Sequence, residues 1–167
     1  MSTYVALDLE TTGLDPSADA IIEIGAVKFK DGEVSDRFQT LVKPHRPIPE
    51  PVQTLTGIGE GDVRDAPTLE VVAGDLEAFL GDHPLVGHNI VSFDARLLDA
   101  KRIRHSPVIF DTYDLASLLL PGAGQYSLLA LAERFEIPFP VQHRALPDAQ
   151  AAGEVFQALQ QRAVTLP

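Results

Sequence analysis

Two acidic residues, Asp8 and Glu10, lie in an apolar stretch near the start of the chain that has the pattern of a strand. Alternate residues of a strand project from one face, so both carboxylates point the same way, about 7 Å apart. Like charges in a strand otherwise built for a core repel each other, and a cation between them removes that cost. Hard divalent ions such as Mg²⁺ and Mn²⁺ prefer carboxylate oxygens, so the pair predicts a metal site.

Two further acids, Asp94 and Asp148, are candidates for the same site, with a favourable place in the first turn of a helix as the alternative interpretation of each. Asp94 closely follows Gly87-His88-Asn89, which closes a predicted strand, and lies in the first turn of a predicted helix. Asp148 comes five residues after His143, so the two would diverge if both were in mid-helix. We therefore expect His143 on a loop and Asp148 on a helix, with Pro147 in the first turn, where proline is tolerated.

The strands that would position these residues follow from hydrophobic periodicity. Strands are predicted over 4–10, 20–29 and 34–42, and Asp31-Gly32 predicts a hairpin between the second and the third. Short apolar runs at 84–87 and 108–110 predict two more strands, which helical crossovers make parallel. The expected fold is α/β, a mixed five-stranded sheet with a three-strand meander followed by parallel strands and flanked by helices.

The helices are predicted from apolar residues at helical spacing. One spans 69–80 and stops at Gly81, and another follows Ser92 as a possible N-cap; three more lie after Asp111, over 127–135 and over 148–161. Prolines between 44 and 51 predict an irregular connection, and 52–58 is compatible with one short helical turn. Asp111 is interpreted as an N-cap, with support of the metal site as the alternative.

Composition limits the class of protein. A length of 167 residues with 45% hydrophobic content suits one core, so we expect a single domain over 1–167. No apolar run approaches the about 20 residues that cross a bilayer, and no basic and then apolar leader is present, so a cytoplasmic location without membrane contact is expected. The sequence has no cysteine, which leaves Asp, Glu and His as metal ligands.

A formal net charge of −11 argues against a broad surface that coats nucleic acid. It is compatible with a small site, where bound cations neutralise the phosphates of a few terminal nucleotides. The one basic run is either a solvated helix face or a receiver of the incoming strand. It consists of Arg96, Lys101, Arg102 and Arg104.

Taken together and in order, the acidic segments resemble the three exonuclease motifs of the DnaQ-like, or DEDDh, 3′–5′ exonucleases. The segments are Asp8-Leu9-Glu10-Thr11-Thr12-Gly13-Leu14, Gly87-His88-Asn89 with Phe93-Asp94, and His143 with Asp148. This family contains the proofreading subunit of bacterial DNA polymerase III. The resemblance extends from Tyr4 to about Leu159 and departs from the family at Pro147, where a small residue is more usual.

The resemblance implies an RNase H-like fold and two-metal hydrolysis of phosphodiester bonds. Single-stranded nucleic acid, with DNA favoured, would be cut from its 3′ end to 5′-mononucleotides. His143 would be the general base that takes a proton from the attacking water. The ligands of two Mg²⁺ or Mn²⁺ ions would be Asp8, Glu10, Asp94 and Asp148.

The resemblance also implies which residues contact the substrate. The turn after Glu10 offers hydroxyl and backbone N–H groups to a polar ligand. For the apolar residues, packing in the core is the alternative interpretation. The expected contacts are Thr11, Thr12 and Leu14 to the terminal nucleotide, Leu55 and Ile58 to its base, Phe93 near the penultimate nucleotide, and Asn89 as a polar contact.

Several alternatives stay open from the sequence. The enzyme could be an RNA-directed exoribonuclease, or the fold could serve as a non-catalytic module that binds nucleic acid or protein. The expected partners are 3′ ends of single-stranded DNA or RNA. The chain could be free-standing, a proofreading or repair partner of a polymerase or helicase, or a domain of a longer chain.

Overall fold

The computed structural model describes residues 3–165, and its five strands form one mixed sheet. The strands are β1 (Thr3–Thr11), β2 (Ile21–Lys30), β3 (Glu33–Leu41), β4 (Leu85–Gly87) and β5 (Ile109–Asp111). Their order is β3-β2-β1-β4-β5, with β1, β2 and β3 antiparallel and β4 parallel to both β1 and β5. The predicted meander followed by parallel strands is confirmed.

Helices cover both faces of this sheet, and they confirm most of the predicted pattern. They are α1 (Glu50–Thr56), α2 (Glu60–Val63), α3 (Leu69–Leu80), α4 (Asp94–Ala100), α5 (Thr112–Leu119), α6 (Leu128–Arg134) and α7 (Ala145–Val164). No helix between residues 3 and 165 has the length and hydropathy to cross a membrane.

The main departures from the prediction concern three helices. Helix α1 is longer than one turn and begins at Glu50, so Pro51 lies inside a helix and not in the irregular connection. Proline is compatible with a first helical turn because the N–H groups there have no partner within the helix. Helix α2 was not predicted, and α7 begins at Ala145, before the expected start at Asp148.

The predicted N-cap at Ser92 is wrong. Helix α4 begins at Asp94 with Phe93 at its N-cap, and the Ser92 hydroxyl instead donates to the carbonyl of Asn89 at 2.9 Å. A serine hydroxyl can hydrogen-bond to a backbone group of its own turn, and Ser92 makes this bond in place of a bond that would cap the helix. Asp111 does cap α5, since its side chain accepts the N–H of Tyr113 at 2.9 Å.

The hairpin between β2 and β3 has the turn that its sequence predicts. Asp31 and Gly32 both have positive φ, 53° and 90°. Two such residues form a turn whose twist matches the right-handed twist of the strands, which is why Asp-Gly is favoured there.

Helix α7 packs closely on the face of β1 and β2 that carries Asp8 and Glu10. A Cβ at Gly153 would lie 2.3 Å from a ring carbon of Phe29, and a Cβ at Gly25 would lie 2.2 Å from the carbonyl carbon of Ala145. Such distances exclude a side chain, so glycine is required for this approach. The opposite face of β1 buries Val5, Leu7 and Leu9 against α3 and α4.

Candidate active site

Three carboxylates meet between β1 and α7. One oxygen from each of Asp8, Glu10 and Asp148 lies within 4.8 Å of the others. Asp8 and Glu10 project from the same face of β1 because they are two residues apart on a strand. Asp148 comes from the first turn of α7, which lies over that face. Strand and helix thus bring together acids from opposite ends of the chain.

The fourth acid, Asp94, lies beside this cluster on the first residue of α4. It is buried, and its Oδ1 accepts the backbone N–H of Leu9 at 3.0 Å. Leu9 separates Asp8 from Glu10, so the bond fixes the Asp94 carboxyl against the strand that carries the other two acids. All four predicted acids are therefore close together.

Burial and mutual repulsion raise the pKa of every acid in the cluster. Loss of water raises the pKa of Asp8 well above its ordinary value, and the carboxylates of Asp94 and Glu10 raise it further. Burial is also the main cause that raises the pKa of Glu10 to about 7, of Asp94 to about 8 and of Asp148 to about 6. The group is costly to ionise unless a cation joins it.

Asp148 has an oxygen that fits such a cation. Its Oδ1 is buried without a hydrogen-bond partner among residues 3–165, whereas its Oδ2 accepts the N–H of His143 at 3.1 Å. Buried polar atoms normally have a partner, so a bare carboxylate oxygen inside an acid cluster indicates a ligand position. A donor set made only of carboxylates suits Mg²⁺ or Mn²⁺.

His143 lies on the loop before α7, as expected, and is exposed. Its φ of 56° is in the left-handed region, which is unusual for a residue with a side chain. A groove of about 550 Å³ is lined by His143 together with Asp8 and Asp148. Asn89 and Tyr113 also line this groove, which we name the histidine groove.

A second groove, of about 300 Å³, reaches the cluster at Glu10. It is lined by Glu10, Thr11, Leu14, Leu55 and Phe93, among others, and we name it the terminal groove. Leu14 is 83% exposed and Leu55 56% exposed, so both present apolar surface to solvent. Since Asp8 lines one groove and Glu10 the other, the acids lie where the two grooves meet.

Comparison with known proteins identifies the family. Residues 5–156 match the family model described as Exonuclease. The chain belongs to the exonuclease family. Membership confirms the resemblance to the DnaQ-like 3′–5′ exonucleases and makes the chain a metal-dependent nuclease by family.

Sequence relatives include DNA polymerase III PolC-type from two bacteria. The Bacillus cereus protein is 38% identical over 157 residues, which are 90% of this chain and 11% of the relative. The Oceanobacillus iheyensis protein is 40% identical over 168 residues, 97% of this chain and 12% of the relative. The exonuclease chain thus spans only a small part of these relatives.

Solved structures show the same fold. Exonuclease X in complex with 5′ overhanging duplex DNA has a TM-score of 0.79 and 28% identity, covering 99% of this chain and 95% of that one. E. coli exonuclease I in complex with a dA16 oligonucleotide has a TM-score of 0.80 at 19% identity, covering 97% of this chain and 42% of that one.

Two residues that were expected to contact substrate, Thr12 and Ile58, are buried and contact other parts of the protein. Thr12 is 2% exposed, and its hydroxyl donates to Asp19 and accepts the N–H of Ala20, both at 2.9 Å. These bonds assign it to the loop that follows β1. Ile58 is 2% exposed in a cluster with Ile22 and Val63, which is the core interpretation of that residue.

Sequence reasoning missed Glu23 and Arg144. Glu23 lies opposite Glu10 across β1 and β2, and its buried carboxylate pairs with the guanidinium of Arg144 at 2.8 Å. Burial opposes ionisation of Glu23, but bonds from Arg144, Ala145 and Gln39 outweigh it and hold its pKa below the ordinary value. The signal was a lone charge inside the apolar run Ile21-Ile22-Glu23-Ile24.

Asp111 makes more contacts than the predicted N-cap alone. Besides capping α5, its carboxylate accepts the N–H groups of Asn89 at 3.0 Å and Val91 at 3.2 Å. These bonds hold the segment that leads from β4 to Asp94. The basic run from Arg96 to Arg104, in contrast, lines neither groove.

Proposed function

We propose that this exonuclease removes 5′-mononucleotides from the 3′ end of single-stranded DNA by a two-metal mechanism. The observation that carries the proposal is the meeting of Asp8, Glu10 and Asp148 oxygens within 4.8 Å at the junction of two grooves. Asp94, held beside them by the N–H of Leu9, completes a set of four carboxylates.

The four carboxylates would hold two Mg²⁺ or Mn²⁺ ions. Ions bound there would lower the pKa of the attacking water and stabilise the charge that develops on the phosphate. The residues contribute the negative charge that attracts the ions and the rigid backbone that fixes them. The unpartnered Oδ1 of Asp148 and the raised pKa of the neighbouring acids support this assignment.

His143 would act as the general base. In hydrolysis, water attacks phosphorus and its proton moves to the imidazole, while the 3′-oxygen of the penultimate nucleotide leaves with the bonding electrons and takes a proton from solvent. His143 lines the groove that Asp8 and Asp148 also line, and this supports a role beside the reacting phosphate. Its exposure allows the proton to pass on to solvent.

The terminal nucleotide would occupy the terminal groove. Leu14, Leu55 and Phe93 offer apolar surface to a base, and stacking of that kind tolerates any sequence. Thr11 lies beside Glu10 in the same groove, and Asn89 offers a polar contact in the histidine groove. These contacts suit one or two nucleotides at a strand end.

DNA is the favoured substrate because the sequence relatives are named as DNA polymerases and Exonuclease X was solved with DNA. We also propose that residues 1–167 form one exonuclease domain that serves a polymerase as proofreader, within a longer chain or as a partner. The family match over 5–156 and the single sheet support one domain.

Hydrolysis of a 5′-labelled single strand tests the proposal. The chain should release mononucleotides only when Mg²⁺ or Mn²⁺ is present, and Asp8→Asn should lower the rate by orders of magnitude while the fold is retained. A matching RNA strand measured in parallel decides between DNA and RNA. Binding without cutting by the unaltered chain would instead support a non-catalytic module.

A further inference from the structure

The carboxylate of Glu23 is saturated by four hydrogen bonds, although it lies on the same face as the acid cluster. Its oxygens accept from Nε and Nη2 of Arg144 at 3.0 and 2.8 Å and from the N–H of Ala145 at 3.0 Å. The amide of Gln39 donates at 3.1 Å. Two parallel hydrogen bonds from a guanidinium fix both the position and the orientation of the two side chains. The Glu23 carboxylate therefore binds Arg144 and is not counted among the metal ligands.

The pair acts on the backbone that carries two site residues. Arg144 directly follows His143, and its carbonyl accepts the N–H of Asp148 at 3.1 Å. The N–H of His143 in turn donates to Asp148. A carboxylate on β2 therefore holds the first turn of α7 and the left-handed residue before it in one arrangement.

We propose that Glu23 and Arg144 are a positioning pair that sets the placement of His143 over the acid cluster. The inference rests on the proposed function of His143 as the base. The loop needs such a restraint because His143 is exposed and its backbone conformation is a costly one. A displacement of about 1 Å at a reacting group can cost about 100-fold in rate.

Steady-state kinetics on a single-stranded oligonucleotide test the pair. Glu23→Gln and Arg144→Gln should each lower kcat by about 10–100-fold with little change in KM, because the pair contacts the loop and not the substrate. The double variant should be no worse than the poorer single one, since both remove the same restraint. Arg144→Lys keeps the charge without the two-point geometry and should recover only part of the rate.

Arg37→Gln is the matched control. Arg37 also reaches α7 from the sheet, with its guanidinium 3.4 Å from Gln150, but this contact is exposed. The Arg37→Gln variant should leave kcat and KM unchanged. If Arg144 instead binds a substrate phosphate, Arg144→Gln will raise KM by the same factor in the unaltered chain and in the Glu23→Gln variant. That result would overturn the inference.

Amide hydrogen exchange separates this inference from the proposed function. In Glu23→Gln, the N–H groups of His143, Ala145 and Asp148 should exchange faster while those of β1 stay protected. This readout needs no activity, so it remains valid if the chain proves unable to cut DNA. Unchanged exchange at these three amides in a folded variant would show that the pair positions nothing.

Discussion

Asp94 lies in a position where its charge opposes folding when no cation is bound. Burial is the main cause of its raised pKa, and Glu10 and Asp111 add to it. Because the folded pKa of about 8 lies above the ordinary 3.8, ionisation costs stability increasingly as pH rises from the lower value to the higher one. The stability that protonation confers is present at low pH and is lost toward pH 8.

Asp94→Asn should therefore stabilise the metal-free chain, and by more at pH 8 than at pH 5. Asn keeps an oxygen that can accept the N–H of Leu9 while it removes the charge. We expect a gain in Tm of at least about 2–4 °C at pH 8, the shift that 1 kcal/mol produces in a chain of this size. Thermal unfolding in EDTA at both pH values measures it. A gain that is equal at both pH values would contradict the ionisation argument.

The role of His143 has its own test at the residue scale. His143→Ala should lower kcat by about 10²–10⁴-fold, the usual loss for a general base, because the variant lacks the group proposed to take the water proton. Affinity for Mn²⁺, measured by isothermal titration, should be nearly unchanged. His45→Ala, at an exposed histidine in the connection after β3, serves as the control. Parallel losses of rate and affinity would make His143 a ligand.

At the scale of elements, the contact between β2 and the start of α7 decides how Asp148 and His143 meet the acids on β1. Gly25 leaves room for the Ala145 backbone, and Gly153 leaves room for the ring of Phe29. Helix α7 is thus seated on the sheet at two points along its length. The site depends on this contact because the helix and the loop before it carry Asp148 and His143, two of the five residues proposed to bind metal or act as the base.

Gly25→Ala should push the start of α7 away from the sheet. Its methyl group would lie within 2.4 Å of backbone atoms of Ala145 and Leu146, so we expect a destabilisation of about 1–3 kcal/mol and a loss of activity. Gly74→Ala is the control, because its Cβ in α3 meets nothing within 4 Å and alanine favours a helix by about 0.5–1 kcal/mol. Urea unfolding and initial rates of hydrolysis measure both. A Gly25 variant as stable and active as the Gly74 variant would refute this account of the seating.

At the scale of the whole molecule, the acid cluster lies at the junction of two grooves on a chain with a formal net charge of −11. Among residues 3–165, none of the basic run of Arg96, Lys101, Arg102 and Arg104 lines either groove, so the grooves themselves offer no row of cations to a long strand. Binding should depend on the terminal nucleotides and on the metal ions. This arrangement suits an enzyme that acts at strand ends.

A blocked 3′ end should therefore stop degradation. A single strand with a 3′-phosphate and a closed single-stranded circle should both resist the enzyme, because the site is proposed to hold a terminal 3′-hydroxyl. A strand with a 5′-phosphate is the control and should be degraded at the normal rate. Gel analysis of internally labelled strands measures all three, and rapid cutting of the circle would reveal an endonuclease.

Local pattern determined much of the fold and the two acids of β1, whereas Asp94 and Asp148 joined the predicted set through the resemblance to the exonuclease motifs. The period of two in β1 places Asp8 and Glu10 on one face, and Asp31-Gly32 specifies the hairpin between β2 and β3. Both features depend only on the geometry of a few adjacent residues. The order of strands and helices determined the mixed sheet for a related reason. Neighbouring strands that are joined by a helical crossover run parallel, and strands that are joined by a tight hairpin run antiparallel.

Tertiary structure alone decided which polar groups would be paired. Glu23 and Arg144 are 121 positions apart, and nothing in either local sequence names the other. The same holds for Thr12, which bonds to Asp19, and for Ile58, which packs against Ile22. Which of these side chains are buried, and which partners they bond to, depends on how α7 and the loops between strands and helices pack on the sheet. The sequence therefore predicted the acids and their face, while only the folded chain showed what holds His143 and Asp148 over them.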